Sequence, residues 1–222
     1  MTTVVAIYTG QGLSELFQTI FHEHLPDCRL VNIIDDSIIQ DVIRNGKVVP
    51  SVARRLILYY QIASDIGADV ILNTCSSVGE VVEIARQLID TPIVRIDEPM
   101  ASEAVKKYQT IGVLATLPTT LEPTVRLIKS QAAYQRKAVS VVEGLAAGAY
   151  QALISGRAEE HDRLILRAAG EVATKAEAIV LAQGSMARME RTLAKRTGKP
   201  VLSSPYLAVE AIKSMLEKGS GK

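Results

Sequence analysis

A single thiol stands where it can do chemistry. Cys75 lies in Asn-Thr-Cys-Ser-Ser-Val-Gly (73–79), after the apolar run Asp69–Asn73 and before a stretch of helical spacing. A thiol at a helix N-terminus has a lowered pKa, because the positive end of the dipole favours thiolate. Ser76 and Ser77 add hydroxyls and free backbone N–H groups, which suit a carboxylate. The other reading of Cys75 is an inert, buried thiol at a strand end. Cys28, beside Pro26 and Asp27, has no such setting. His22, His24 and His161 lack zinc-ligand spacing and read as helix-surface or loop residues, and no metal is expected.

The elements that must position these groups alternate. Short β-branched runs at 3–8, 29–34, 69–73, 92–96, 110–114, 138–142, 178–181 and 200–202 read as strands. Amphipathic stretches at 13–24, 51–66, 78–87, 101–107, 119–131, 145–155, 159–175, 187–196 and 207–218 read as helices, with a loose tail after them. This rhythm is that of an α/β protein with parallel sheets covered on both faces. Arg55-Leu56-Ile57-Leu58 recurs 108 residues later as Arg163-Leu164-Ile165-Leu166, and Pro92-Ile93-Val94 as Pro200-Val201-Leu202. The common offset implies two similar α/β domains: 1–98 with 207–222, and 99–206. Ligand loops of such sheets follow the strand carboxyl ends. Here they are Thr9–Gly12, Thr74–Gly79, Asp97–Met100, Thr116–Thr120, Gln183–Met186 and Ser203–Tyr206.

Composition narrows the function. Lys+Arg (25) nearly balance Asp+Glu (24), and aromatics are 4% with no Trp, which argues against nucleic acid as a partner. No run approaches a membrane span and the N-terminus lacks a signal-peptide pattern, so a cytoplasmic location is expected. Gly10-Gln11-Gly12 after the first strand hints at a dinucleotide fingerprint. Its third glycine position is Glu15, however, which puts a charge where helix and strand must pack. A two-lobed protein that binds a small carboxylate without catalysis fits the same pattern.

The Asn-Thr-Cys-Ser-Ser segment, the segment Ile-Gly-Val-Leu-Ala-Thr-Leu-Pro-Thr-Thr (111–120) and the duplication together resemble the aspartate/glutamate/hydantoin racemase superfamily, over nearly the whole chain. The resemblance implies two pseudo-symmetric Rossmann-like domains, an active-site cleft between them, and no cofactor. It implies Cys75 as the first-domain catalytic cysteine. It also implies Ser76, Ser77, Thr116, Thr119 and Thr120 as carboxylate contacts. Apart from the resemblance, Thr9, Gln11, Gln183, Gly184 and Ser185, in the loops after the strands, are read as further substrate contacts. Racemases of this kind use two cysteines on opposite faces of the α-carbon. Here the offset carries Cys75 onto Gln183, within Leu-Ala-Gln-Gly-Ser (181–185), and a glutamine cannot act as a base.

The second proton then needs another carrier, and Glu98 or Asp97 are the best-placed carboxyls, ahead of Tyr206. Alternatively the reaction needs one thiol only, as in the superfamily's arylmalonate decarboxylase, or uses a nucleophilic thiol, as in its maleate isomerase. The first loop lacks the acid that many amino-acid racemases carry. Gln11 and Gln183 offer neutral hydrogen bonds instead. The expected activity is a racemase-like isomerase acting next to a carboxylate or carbonyl of a small polar molecule. A carbon–carbon lyase or decarboxylase is the alternative, and a homo-oligomer is allowed.

Overall fold

The computed structural model describes residues 1–219. Residues 220–222 of the expected loose tail, and the side chain of Gln11, lie outside the described residues. The chain divides into two compact units: Met1–Pro99 with Pro205–Lys222, and Met100–Ser204.

In the first unit the order is β1 (Thr3–Tyr8), α1 (Ser14–His24), β2 (Arg29–Ile34), α2 (Ser37–Asn45), α3 (Pro50–Asp65), β3 (Val70–Asn73), α4 (Glu80–Ala85) and β4 (Ile93–Arg95). These strands form a sheet in the order β2-β1-β3-β4, every pairing parallel. The period of two along β1 separates its side chains between two cores. Val5 and Ile7 pack with Ile71, Leu56, Tyr60 and Val82 under α2, α3 and α4. Val4, Ala6 and Tyr8 pack with Phe17 and Ile20 of α1. β1 and β3 are buried throughout and β2 is not, as expected for central and edge strands.

The second unit repeats the plan. After α5 (Glu98–Lys107) come β5 (Thr110–Ala115), α6 (Pro118–Tyr134), β6 (Ser140–Leu145), α7 (Ala149–Ile154), α8 (Ala158–Ala173), β7 (Ala178–Leu181), α9 (Glu190–Thr197) and β8 (Val201–Leu202). The sheet order is β6-β5-β7-β8, again parallel. Val172 of α8 sits so close to the sheet that a Cβ on Gly112 or Gly144 would lie 2.3 or 2.4 Å from it. The last helix, α10 (Ser204–Gly219), joins the first unit. Its Ala208, Val209 and Ile212 complete the core beside Phe17.

The α/β reading with parallel sheets holds; three details differ from expectation. α2 was not expected, although Ile38 and Val42 are buried at helical spacing and Gly46 closes the helix at φ 66°. The loops after β3 and β7 enter 3-10 turns, Ser76–Val78 and Gly184–Met189, so the α-helices that follow start at Glu80 and Glu190, later than the expected 78 and 187. His161 is not a surface residue: it is 1% exposed, with Nδ1 2.8 Å from Asp162 Oδ1 and 3.0 Å from Arg188 Nη2.

Candidate functional site

Cys75 is set two residues beyond β3. The Thr74 N–H and hydroxyl both donate to the Ile7 carbonyl, at 3.2 and 2.9 Å, tying this loop to β1. The Cys75 N–H donates to Asn73 Oδ1 at 2.9 Å, an Asx-type turn that aims the next residues away from the strand. The Val78 N–H then donates to the Cys75 carbonyl at 3.3 Å and closes the 3-10 turn.

The thiol, partly buried, has hydrogen bonds with the Thr9 hydroxyl, the Ser77 hydroxyl and the backbone N–H groups of Ser77 and Val78. Each favours the thiolate. Burial outweighs them, so the Cys75 pKa lies above the ordinary thiol value. This corrects the helix-dipole expectation. A three-residue 3-10 turn followed by the six-residue α4 has little macrodipole to offer. The resting group is therefore a protonated thiol on a set of donors that stabilise charge once it forms.

A buried ion pair belongs to the same unit. Arg95 Nε and Nη2 donate to Asp97 Oδ1 and Oδ2 at 2.7 and 3.1 Å, and the side chains are 3% and 0% exposed. The guanidinium crosses the end of the Cys75 turn so closely that a Cβ on Gly79 would lie 2.3 Å from Arg95 Nε. Tyr60 is fully buried in the core against which Cys75 packs. Among the described residues its hydroxyl, the Ser76 hydroxyl and Asn73 Nδ2 have no hydrogen-bond partner. Buried polar atoms left in this state are open to a ligand or water.

The second unit has a matching loop pair. The Ala182 N–H donates to the Leu114 carbonyl at 2.9 Å, as Thr74 does to Ile7. The Met186 N–H donates to the Gln183 carbonyl at 3.0 Å, as Val78 does to Cys75. Gln183 therefore occupies the place equivalent to Cys75. Thr116, the equivalent of Thr9, donates from its N–H and hydroxyl to Gln183 Oε1 at 2.6 and 2.9 Å. An N–H can only donate, so this contact fixes the amide: Oε1 is used and Nε2 is left as a donor.

The remaining candidates are placed as follows. Glu98 opens α5 and is held by Arg86, with Nη2 2.7 Å from Oε2. The Asp97 carboxylate is taken by Arg95, so neither acid stands free. Thr116 spends its donors on Gln183 rather than offering them to a carboxylate. Thr119 is half-buried with an unpartnered hydroxyl, and Thr120 is buried. Gly184 is buried and Ser185 exposed in the turn after β7. Gln11 lies in the 3-10 turn after β1. Tyr206 is 44% exposed and meets His24 edge-on. Asn73 and Arg95 were not sequence candidates. Asn two residues before Cys75 is a turn signal that would have found the first, whereas the close approach of Arg95 to Gly79 has no counterpart in the sequence.

Among the described residues no helix is long and apolar enough to cross a membrane, and no group of three His, Cys, Asp or Glu is arranged to hold a metal ion. No protein of curated function matches the sequence significantly. Solved structures do resemble it in fold. Glutamate racemase isoform RacE1 from Bacillus anthracis superposes with a TM-score of 0.81 at 12% identity, over 98% of this chain and 82% of that one. Aspartate racemase from Picrophilus torridus gives 0.71 at 17% identity, over 96% and 94%. Allantoin racemase from Klebsiella pneumoniae gives 0.67 at 18%, over 99% and 89%. The family model for Asp/Glu/Hydantoin racemase matches residues 4–212, and the chain belongs to that family.

Proposed function

We propose that this protein is a cofactor-independent isomerase of racemase or epimerase type, acting at a carbon next to a carboxylate or carbonyl of a small polar molecule, with Cys75 as its acid/base. The observation that carries this reading is the thiol's surroundings: a protonated Cys75 on the Thr9 hydroxyl and the Ser77 and Val78 N–H groups. Such a group can deliver a proton to a carbanion and hold the charge left on sulfur. Ser76, with an unpartnered buried hydroxyl, is the adjacent choice for a substrate oxygen.

One observation favours a second reading. Gln183 stands where a second thiol would, and its amide presents a donor rather than a base. A reaction that needs protonation from one face only, as in a carbon–carbon lyase or decarboxylase, fits that substitution.

The test is deuterium wash-in from heavy water across aspartate, glutamate, allantoin, hydantoins, hydroxy acids and substituted malonates, with Cys75→Ser beside the native protein. Isomerase action labels the substrate carbon and erodes optical purity in the native protein only. Release of carbon dioxide with one labelled enantiomer of product selects the lyase. No exchange with any compound, together with equal carboxylate binding by both proteins, refutes both and leaves a binding protein.

A further inference from the structure

The Cys75 turn rests on buried polar groups to which no role has yet been given. Asn73 ends β3, and the alternation along that strand decides where its side chain goes. Ile71 packs in the core under α2, α3 and α4, whereas Val70 and Leu72 pack on the opposite face. Asn73 therefore projects to the α3 side. Arg95 does the same on β4, where Ile93 and Val94 divide in the same way, and Asn73 and Arg95 are register neighbours. Tyr60 reaches this place from α3. The end of that helix is tied to the segment before β4 by the Ser64 and Thr91 hydroxyls, 2.7 Å apart, so α3 runs against the strands. Helical side chains lean toward the N-terminus of their helix, which for Tyr60 is toward the carboxyl ends of the strands. Cys75, Arg95 and Arg86 all act on its ionisation, in agreement with that placement.

The Cys75 N–H can only donate, so its bond at 2.9 Å fixes Asn73 Oδ1 toward it and turns Nδ2 the other way. That Nδ2 and the Tyr60 hydroxyl are both without a hydrogen-bond partner among the described residues, on side chains 1% and 0% exposed. Nδ2 is a donor and the hydroxyl can donate, whereas a water oxygen has two lone pairs to accept from both. Buried polar atoms in this state are where proteins hold internal water. The Asn73 amide matters because its turn sets the residues that follow, including the Ser77 and Val78 N–H groups that favour the thiolate. The charged groups packed around the turn are already paired: Arg95 with Asp97, and Arg86 with Glu83 and Glu98. Tyr60 is neutral there, because burial pushes its pKa far above the ordinary phenol value.

We propose that Tyr60 is a positioning residue for Cys75: a buried water held between its hydroxyl and Asn73 Nδ2 locks the turn that presents the thiolate donors. The inference rests on Cys75 as the reacting group, but its test needs no substrate. The test is iodoacetamide alkylation against pH, followed at the Cys75 peptide by mass spectrometry. It compares native protein, Tyr60→Phe, Asn73→Ala and the double variant, with circular dichroism as the fold control. Tyr60→Phe should raise the midpoint of the profile by about half to one pH unit, which slows labelling below it about three- to tenfold. In the Asn73→Ala background the same change should add less than about twofold, because Tyr60 acts through Asn73. A merely structural loosening would raise the plateau rate and leave the midpoint in place, and that result overturns the proposal. So do effects that multiply in the double variant. A crystal structure of the native protein gives a check independent of any variant's folding. A water within hydrogen-bond distance of Tyr60 Oη and Asn73 Nδ2 is expected there, and its absence overturns the proposal as well. If the heavy-water experiment finds no reaction while the double-variant coupling holds, the isomerase reading fails and the positioning role stands.

Discussion

Asp97→Ala removes one half of the buried ion pair and leaves the other half in place. Arg95 and Asp97 are 3% and 0% exposed, so no solvent screening softens the loss. Their two hydrogen bonds, at 2.7 and 3.1 Å, satisfy both Asp97 oxygens and two of the guanidinium's donors. Truncating one partner of such a pair costs about 3–5 kcal/mol, mostly from the charge left buried. Glu83 and Glu98 also act on Arg95, which places the expectation at the lower end. With a urea dependence near 2 kcal/mol per molar, a loss of about 3 kcal/mol moves the midpoint down by about 1.5 M. Cys28 and Cys75 are both in the first unit, so pulsed thiol labelling against urea follows that unit. Because Arg95 crosses the backbone at Gly79, Cys75 should also label faster in the variant without urea. Replacing the pair together, as Arg95→Met with Asp97→Leu, should return stability to within about 1 kcal/mol of native. A midpoint shift below about 0.5 M for Asp97→Ala would refute the reasoning, since Arg95 would then not depend on Asp97.

Two further expectations follow from the same geometry. Burial raises the Cys75 pKa, so the native state holds this proton more tightly than the unfolded chain. Its contribution to stability is then present below the unfolded thiol value of about 8.5 and is lost as pH rises through the folded value. Denaturation between neutral and strongly alkaline pH should show a smaller alkaline loss in Cys75→Ala than in native protein. Iodoacetamide labelling of native Cys75 should still be rising at pH values where a free thiol has levelled off. In the second unit, Gln183→Leu strips the acceptor from the buried Thr116 N–H and should cost about 1–3 kcal/mol in thermal or urea denaturation. Gln183→Glu keeps the acceptor and should cost less; equal losses would mean that the Thr116 contact is not what matters.

The strands were legible because β-branched runs such as Thr3–Tyr8 and Ala178–Leu181 are buried on both faces and need no partner to be recognised. The offset that links Cys75 to Gln183 was legible for a related reason. A duplicated chain keeps its spacing, and the hydrogen bonds of Thr74 to Ile7 and of Ala182 to Leu114 have the same pattern. α2 shows how a readable signal is passed over. Ile38 and Val42 have helical spacing, but Asp35-Asp36 before them resembles the start of a loop. In the fold Asp35 instead accepts from Ser37 N–H at 3.1 Å and from Arg55 at 3.1 Å, and so joins α2 to α3.

Residue types and order by themselves determined a parallel α/β architecture, one thiol in a Ser-rich loop, and an amide at its twin position. These depend on local periodicity and on short-range turn chemistry, which a linear reading contains. The tertiary structure decided the state of those groups. Burial, not the helix dipole, sets the direction of the Cys75 pKa. Arg86 and Arg95 claim Glu98 and Asp97, and Thr116 fixes the Gln183 amide. The Arg86–Glu98 and Thr116–Gln183 contacts join groups apart in sequence, whereas Arg95 and Asp97 are two residues apart and owe their weight to burial, as does the Cys75 shift. Neither the long-range contacts nor the desolvation exists until each sheet has formed.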